Sequence, residues 1–259
     1  MKRALVTGAG KRLGRAMALE LGARGYDVAV HFATSSGAAD VVVAELHKMG
    51  RQAVALRADL LDEAQVTPLL PAAATALGGP ITVLVNNASI FEPDTLEDAT
   101  RKSWDRHFES NLRAPFVLMQ ALAAQVPDST RDSRGEPTAQ GLVVNMIDQR
   151  VRKLTPDFMS YTLAKSALWT LTQTGAQALA PRVRVNAIGP GPTLRAARQT
   201  EASFAAQRAA TVLERGVDTE DITGALAYLL GAPAVTGQLI CVDGGQHLGW
   251  RTPDALIPE

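Results

Sequence analysis

Short apolar segments alternate along the chain with longer stretches in which apolar residues recur at helical spacing. The short segments predict strands near residues 3–7, 27–32, 53–57, 81–86, 141–147, 182–188 and 238–242. The longer stretches predict helices near residues 12–24, 37–49, 62–77, 101–125, 159–180 and 218–230. Because buried strands alternate with amphipathic helices, we expect one α/β domain, a doubly wound parallel sheet of about seven strands with helices on both faces.

Two stretches interrupt this alternation. Residues 127–137 are polar and bounded by prolines, which predicts a solvated surface loop. Residues 190–216 are long for a connection and follow the carboxyl end of a strand, so they are a candidate lid over a substrate. A disordered spacer is the alternative, which is less favoured because Phe204, Val212 and Leu213 give the segment apolar side chains to bury.

The composition limits the classes of function. With 259 residues, of which 46% are hydrophobic, the chain fits one large domain. Lys and Arg together number 26, as do Asp and Glu, so no net charge favours nucleic acid or an anionic membrane. Cys241 is the only cysteine, which excludes an intrachain disulfide and indicates a reducing compartment. Because no apolar run approaches ~20 residues and no signal segment is evident, we expect a soluble, cytoplasmic protein.

A glycine-rich turn follows the first predicted strand. Gly8 and Gly14 bracket the turn, and a helix with Met17 and Leu21 on its apolar face follows. Glycines let the backbone approach a ligand, and a helix N-terminus offers free N–H groups, so this arrangement is typical of a phosphate site. The spacing differs from the common G-x-G-x-x-G pattern, and a tight turn without a ligand is the alternative.

The second predicted strand ends without an acidic residue. A carboxylate at this point binds the ribose hydroxyls of NAD, whereas here His31, Phe32, Ala33, Thr34 and Ser35 occupy these positions. The basic pair that lies in the glycine turn, Lys11-Arg12, suits a ribose 2′-phosphate instead. We therefore predict NADP(H) in preference to NAD, with solvated charges at the start of the helix as the alternative.

A Tyr and a Lys four residues apart, Tyr161 and Lys165, follow Asp148 in the sequence. This spacing returns both side chains to one face of a helix. The ammonium favours phenolate, so we expect a lowered Tyr161 pKa and a proton donor or acceptor that works at ordinary pH. Such a pair alone is a weak signal, because a solvated helix face can also carry it.

These motifs, in this order, resemble the short-chain dehydrogenase/reductase family from about Arg3 to Gly245. The resemblance also covers Asn86-Asn87-Ala88-Ser89 after the fourth strand, Asn111, Pro190-Gly191 and Val242-Asp243-Gly244-Gly245. It implies a Rossmann-type NADP-binding catalytic domain in residues 1–245, and a tail in residues 246–259 at the subunit interface of a homo-oligomer, either a tetramer or a dimer. A loose tail is the alternative. The expected cofactor site comprises Gly8, Lys11, Arg12, Leu13, Gly14, His31, Phe32, Ala33, Thr34, Ser35, Asp59, Leu60, Asn87, Ala88, Ser89, Tyr161, Lys165, Pro190, Gly191 and Thr193.

One departure is informative, because the family usually has Ser where this chain has Asp148. The pteridine reductase and dihydropteridine reductase-like subgroup has Asp there. The runs 8–14, 31–32, 87–91 and 145–148 also resemble that subgroup. The resemblance implies NADPH-dependent reduction of a C=N bond in a dihydropterin or dihydrofolate. Thr34 stands where the subgroup has Arg, which weakens the match at the 2′-phosphate site.

The resemblance also assigns roles. Tyr161 would donate a proton, Lys165 would hold the nicotinamide ribose, and Asn111 would order a water, with an Asn that satisfies the helix backbone as the alternative. Asp148 completes the catalytic set, and we expect burial to raise its pKa, opposed by Lys165. A helix or turn cap is the less favoured alternative for Asp148. The expected substrate contacts are Arg12, Ser89, Phe91, Asp148 and Tyr161.

Some aromatic and titratable residues have plainer interpretations. Phe91 could stack on a flat substrate or lie in the core below the fourth strand. Trp104 and Trp169 lie on helical apolar faces and indicate core or subunit contacts. His47 and His107 are predicted to be exposed, and no His, Cys or acidic grouping has metal-ligand spacing.

Two other functions remain open. A general short-chain carbonyl reductase could have acquired Asp148 by drift. A catalytically silent NADP-binding sensor is the third hypothesis, and the presence of Tyr161, Lys165 and Asn111 argues against it.

Overall fold

A seven-stranded parallel sheet forms the centre of the computed structural model, which describes residues 2–196, 198–252 and 255. The strands along the chain are β1 (Lys2–Val6), β2 (Tyr26–Phe32), β3 (Ala53–Arg57), β4 (Val83–Asn86), β5 (Thr130–Arg131), β6 (Pro137–Thr138), β7 (Gly141–Met146), β8 (Val183–Pro190) and β9 (Leu239–Val242). The order in the sheet is β3-β2-β1-β4-β7-β8-β9, and β5 pairs with β6 in a separate hairpin. The predicted doubly wound sheet is confirmed.

Helices cover both faces of this sheet. They are α1 (Arg12–Ala23), α2 (Ser36–Lys48), α3 (Glu63–Val66), α4 (Leu69–Ala76), α5 (Arg101–Phe108), α6 (Ala114–Gln125), α7 (Met159–Leu179), α8 (Glu201–Ala209) and α9 (Thr219–Gly231). Successive strand residues point to opposite faces, so Val6 packs with the core around α1, α2 and α9, whereas Leu5 packs with the core around α4 and α6. Leu118 and Leu122 of α6 are fully buried, and each such side chain stabilises the fold by about 1.5–3 kcal/mol.

The strand order reverses between β1 and β4, and this reversal positions the functional site. Ligands of open α/β sheets bind beyond the carboxyl ends of the strands at such a point. Thr7 ties the two strand ends together, because its Oγ1 accepts hydrogen bonds from the backbone N–H groups of Asn87 (2.9 Å) and Ala88 (3.0 Å). The Asn87 side-chain amide donates in return to the Thr7 carbonyl at 2.8 Å.

Two predicted helices are interrupted in the structure. The predicted helix 62–77 is divided into α3 and α4, because Pro68 has no N–H to donate to the Ala64 carbonyl. The predicted helix 101–125 contains a π-helical segment, Glu109–Arg113, between α5 and α6. Pro115 cannot donate a hydrogen bond to the Asn111 carbonyl, which accounts for the change of helix type at this point.

The two irregular stretches fold in different ways. Residues 127–137 carry most of the exposed β5–β6 hairpin, and the candidate lid of residues 190–216 contains α8. The expectation that apolar lid residues are buried is wrong for Val212 and Leu213, which are 50% and 66% exposed, whereas Phe204 is partly buried. Residue 197 of the lid lies outside the described residues.

The end of the chain is described only in part. A short 3-10 turn covers Gln246–Leu248, and Trp250 is 59% exposed. Residues 253, 254 and 256–259 of the predicted tail lie outside the described residues. Within the described residues, no helix combines the length and apolar character needed to cross a membrane.

Candidate active site

A cavity of about 690 Å³ lies beyond the carboxyl ends of β1, β4, β7 and β8. Fifteen of the residues predicted for the site line it. They are Gly8, Lys11, Arg12, Leu13, Gly14, Asn87, Ala88, Ser89, Phe91, Asp148, Tyr161, Lys165, Pro190, Gly191 and Thr193. The predicted residues that do not line it are His31, Phe32, Ala33, Thr34, Ser35, Asp59, Leu60 and Asn111.

The glycine turn and the start of α1 form one wall. Gly8 has a positive φ of 62°, and a Cβ on Gly14 would lie 2.2 Å from the Gly8 carbonyl oxygen, so α1 packs directly on the turn. No side chain caps the start of α1 at Lys11, and the first N–H groups of a helix have no partner within it. A helix N-terminus with free donors, reached over glycine backbone, fits the pyrophosphate of a dinucleotide.

Arg12 links this turn to the lid. Its backbone adopts the left-handed region with φ 53°, which is uncommon for a residue other than glycine. Its guanidinium donates hydrogen bonds to the carbonyls of Leu194 (2.9 Å) and Arg195 (3.0 Å). Arg12 thus lines the cavity as predicted, while its guanidinium holds the lid backbone.

His31 supports the turn instead of facing the cavity. The imidazole is 1% exposed, its Nδ1 accepts a hydrogen bond from the Gly8 N–H at 3.0 Å, and its Nε2 donates to the Ala58 carbonyl at 3.0 Å. Burial lowers the His31 pKa, which favours the neutral ring. The imidazole therefore positions the glycine turn. It does not line the cavity, which corrects the prediction that it contacts the cofactor.

The predicted residues at the ends of β2 and β3 also lie apart from the cavity. Phe32 packs on the core beside α1 and α2, and Leu60 is buried in the core on the other face. The Asp59 carboxylate accepts a hydrogen bond from the Leu61 N–H at 3.0 Å, which stabilises the turn after β3.

Arg57 supplies a cation that sequence reasoning missed. It ends β3 in register with Phe32 of β2, and its Nε donates to the Ala33 carbonyl at 3.3 Å. This contact brings a guanidinium to the strand end where Thr34 takes the place of the expected Arg. The parallel register of two adjacent strands was the signal that could have identified it.

The predicted catalytic residues lie together. The Tyr161 hydroxyl donates to Asp148 Oδ2 at 3.0 Å, and Asp148 Oδ1 accepts from the Arg150 N–H at 2.8 Å. Lys165 is buried, and its Nζ donates to the Met146 carbonyl at 2.7 Å. Met146 ends β7, and Asp148 lies two residues after it. Tyr161 and Lys165 lie on successive turns of α7.

The pKa values in this group are set mainly by burial. Burial and the Asp148 carboxylate raise the Tyr161 pKa well above its usual value, so the predicted lowering by Lys165 is wrong. Burial raises the Asp148 pKa, and among smaller opposing effects the Lys165 charge lowers it, as predicted. Burial lowers the Lys165 pKa to about 8, opposed by Asp148. Tyr161 is therefore a protonated phenol at neutral pH, which suits a proton donor.

An aromatic wall adjoins the phenol. The Phe91 ring lies 4.4 Å from the Phe158 ring in a stacked arrangement and 4.6 Å from the Tyr161 ring. Phe91 thus lines the cavity, and the alternative of a core residue below β4 is wrong. Phe158 precedes α7 in the left-handed conformation, with φ 58°, and no sequence pattern predicted its contribution.

Asn111 holds the loop that follows β4. Its side chain is fully buried, with Oδ1 accepting from the Ile90 N–H and Nδ2 donating to the Ile90 carbonyl, both at 2.9 Å. The oxygen and the nitrogen of the side-chain amide both bond to the Ile90 backbone, so Asn111 positions the chain next to Phe91. These contacts match the alternative of an Asn that satisfies the backbone, and the role of ordering a water stays a prediction.

A buried polar network fixes the start of α7. His107 is fully buried, so its predicted exposure is wrong. Its Nε2 accepts from the Glu92 N–H at 3.2 Å, which leaves Nδ1–H to donate to Ser160 Oγ at 2.7 Å. The Ser160 hydroxyl donates to the Asp94 carboxylate, which also accepts from the Ser160 N–H at 3.1 Å. Ser160 precedes Tyr161, so the network positions the Tyr161 phenol at the cavity.

Several other cavity residues were not predicted from the sequence. They are Met146, Ile147, Gln149, Arg150, Phe158, Pro192, Leu194, Ala196, Arg198, Gln199, Phe204, Gln207 and Gln246. Most come from the lid, the stretch between β7 and α7, or the chain after β9, where hydrophobic periodicity gives no side-chain direction. Among the residues that the structure describes, no group of three or more His, Cys, Asp or Glu side chains could hold a metal ion.

Comparison with known proteins assigns the family. Residues 8–247 match the family profile described as enoyl-(acyl carrier protein) reductase. The chain belongs to the short-chain dehydrogenase/reductase family. A curated relative is the uncharacterized oxidoreductase MT0954 of Mycobacterium tuberculosis, which is 36% identical and covers 100% of this chain and 96% of its own length. As a short-chain dehydrogenase/reductase, the protein is an oxidoreductase.

A solved structure and a second relative represent two activities within this family. The FolM alternative dihydrofolate reductase 1 from Brucella suis, in complex with NADP, is 42% identical with a TM-score of 0.90, and 98% of each chain is covered. The 3-oxoacyl-[acyl-carrier-protein] reductase FabG of Staphylococcus epidermidis is 30% identical over 95% of this chain and 99% of its own. The similarity to the FolM structure bears out the resemblance to the pteridine reductase-like subgroup.

Proposed function

We propose that this short-chain dehydrogenase/reductase uses NADPH to reduce a C=N bond of a pterin-type substrate such as dihydrofolate or a dihydropterin. One observation carries the proposal. The Tyr161 hydroxyl is hydrogen-bonded to the Asp148 carboxylate at 3.0 Å, and the Phe91 ring lies 4.6 Å from the Tyr161 ring in the same cavity. The cavity therefore offers a flat heteroaromatic ring both a stacking surface and a proton donor. The similarity to the FolM reductase supports this assignment.

The residues of the glycine turn fit NADPH. The free N–H groups of α1 would hold the pyrophosphate, and Lys11 and Arg57 are the cations available for a ribose 2′-phosphate. Phe32 ends β2, and the first carboxylate after it along the chain is Asp40, so the usual ribose-binding acid of NAD enzymes is absent from this strand end. When bound, the reduced cofactor supplies a hydride.

The proton for the substrate nitrogen comes from Tyr161. Its raised pKa keeps the phenol protonated, and its position beside Asp148 fixes the direction of the hydroxyl. Hydride and proton together convert the C=N bond to C–H and N–H. Burial raises the Asp148 pKa, so this carboxyl takes up a proton more readily than a free one and can return it to Tyr161. Lys165 favours the phenolate that remains after transfer.

Reduction of a ketone is the second candidate function. The same phenol could protonate a carbonyl oxygen, and the FabG relative supports this alternative. Asp148 argues against it, since a carboxylate beside Tyr161 opposes the negative charge that develops on a carbonyl oxygen. A silent NADP-binding sensor is less supported, because Tyr161, Lys165 and Asp148 are held in one arrangement.

The test is NADPH oxidation by the purified protein with dihydrofolate, dihydrobiopterin and quinonoid dihydropterin, alongside simple ketones and hydroxysteroids. We expect turnover with at least one pterin and little with the ketones. Turnover of ketones with no pterin reduced would reject the proposal in favour of carbonyl reduction. NADPH binding by calorimetry with no product from either group would support the sensor.

We also propose that residues 1–245 form the catalytic domain and that the protein is a cytoplasmic homo-oligomer, a tetramer or a dimer. The exposure of Trp104 (40%) and Trp250 (59%) supports a subunit contact for these side chains. Analytical ultracentrifugation tests the assembly, and a monomer at assay concentrations would reject it.

A further inference from the structure

Two guanidinium groups flank the aromatic wall of the cavity. The Arg198 guanidinium comes from the lid and lies 4.4 Å from the Phe91 ring centre and 4.7 Å from the Phe158 ring centre. The Arg150 guanidinium lies 5.1 Å from the Phe158 ring centre. Both arginines line the cavity that also contains Asp148 and Tyr161.

Neither arginine forms a salt bridge with any carboxylate among the residues that the structure describes. Burial raises the pKa of the nearby Asp148 carboxyl, however, and the charge of Arg150 lowers it. Arg198 donates only a long hydrogen bond of 3.4 Å to the Phe91 carbonyl, and Arg150 donates to the Thr155 hydroxyl. The Arg150 Nε is buried and has no acceptor. Each guanidinium makes one of these hydrogen bonds, so further N–H donors remain for an anionic ligand in the cavity.

Among the residues that line the cavity, Arg150 and Arg198 are the cations beside the aromatic wall that form no salt bridge. Asp148 is the acidic residue among those that line the cavity, and it is already engaged by Tyr161. Arg12 donates from both terminal nitrogens to lid carbonyls. Lys11 lies at the glycine turn, where the phosphates of a dinucleotide would bind.

We propose that Arg150 and Arg198 form a carboxylate subsite, so that the enzyme prefers a pterin with a carboxylate-bearing tail over a pterin without one. This inference rests on the proposed function. Dihydrofolate carries an aminobenzoyl-glutamate tail, whereas dihydrobiopterin has a short neutral side chain. Guanidinium groups bind carboxylates through paired hydrogen bonds, and the Phe158 ring adjoins both arginines as a surface for the aminobenzoyl ring.

Steady-state kinetics with dihydrofolate and dihydrobiopterin at saturating NADPH test the subsite. The variants are Arg198→Gln, Arg150→Gln and the double replacement. Arg152→Gln is the matched control, because Arg152 lies over Trp169 and does not line the cavity. We expect each single replacement to raise KM for dihydrofolate about tenfold, and to leave KM for dihydrobiopterin within about twofold, since one charge-assisted contact is lost. Arg198→Lys should recover part of the loss, because the charge remains without the paired geometry.

The two substrates separate the possible failures. If both KM values rise by the same factor, the arginines act on the aromatic wall in general and the subsite is wrong. If KM for dihydrofolate is unchanged in the double variant, the subsite is also wrong. If the wild-type enzyme reduces neither pterin, the proposed function fails and the subsite falls with it.

Discussion

Replacement of Asp148 by asparagine tests the partner of Tyr161, the proposed proton donor. Asparagine keeps the shape of the side chain, and its oxygen can still accept the Arg150 N–H that Asp148 binds at 2.8 Å. The turn Gln149–Val151 should therefore persist. The amide nitrogen would then face Tyr161, and a nitrogen donor cannot accept the hydroxyl proton now bound at 3.0 Å. The variant thus removes the charge and the acceptor while keeping the fold.

The magnitude follows from the interaction that is lost. A hydrogen bond to a charged group contributes about 1.5–3 kcal/mol, and each 1.36 kcal/mol of barrier is a factor of ten in rate, so kcat should fall roughly 10- to 150-fold. The Tyr161 pKa should fall as well, because the Asp148 charge is one of the groups that raise it. Asp148→Ser should lose at least as much, since a hydroxyl is shorter and uncharged.

The assay is NADPH oxidation with dihydrofolate, together with unfolding midpoints that confirm the fold. Asp128→Asn is the control, because Asp128 is 95% exposed and should leave kcat unchanged. An unchanged kcat in Asp148→Asn would refute the reasoning. Activity preserved or raised in Asp148→Ser would show that the carboxylate has no role and would favour carbonyl reduction.

Three further predictions concern charge and buried polar contacts. Burial lowers the Lys165 pKa to about 8, so kcat/KM should fall as pH rises through that value and the ammonium loses its proton. Lys11→Ala and Arg57→Ala should each raise KM for NADPH about tenfold and leave KM for NADH nearly unchanged, because NADH lacks the 2′-phosphate. His107→Ala should lower the free energy of unfolding by about 2–4 kcal/mol in urea titrations, because the Glu92 amide and Ser160 hydroxyl lose their buried partner.

Controls make these outcomes specific. A pH profile that stays flat through the Lys165 pKa would contradict the role of the ammonium. Lys48→Ala, at the far end of α2, should leave both cofactor KM values unchanged, and equal increases for NADPH and NADH would refute the 2′-phosphate site. His47→Ala is the exposed counterpart of His107→Ala, and equal stability of the two variants would contradict the buried network.

The sheet was predictable from the sequence because its strands and helices depend on short-range patterns, whereas the candidate catalytic residues were identified through the resemblance to the family. Strand spacing predicted the order of elements, and the four-residue spacing of Tyr161 and Lys165 placed both on one face of α7. The interruption at Pro68 follows from a local rule and could have been predicted. The π-helical segment Glu109–Arg113 depends on packing of Asn111 against Ile90 as well as on Pro115, which a helical pattern does not reveal.

Phe91 was predicted as a substrate contact, but its partner Phe158 and the two arginines beside them were not predictable, because they depend on long-range contacts. Phe91 and Phe158 meet although they are far apart in sequence, and Arg198 reaches them from the lid. His107 follows a polar pattern typical of an exposed helix face, yet tertiary packing buries it against Ser160. The rise in the Tyr161 pKa was missed for a related reason, since the sequence shows a nearby charge but not the extent of burial.

The most direct test of the account is a crystal structure of the protein with oxidised NADP and a dihydropterin. We expect the nicotinamide C4 to face the carbon of the pterin C=N bond, with the Tyr161 hydroxyl within about 2.6–3.2 Å of the neighbouring nitrogen and the pterin ring against Phe91. A nicotinamide C4 remote from Tyr161, or a pterin bound away from Asp148 and Phe91, would contradict the central claim.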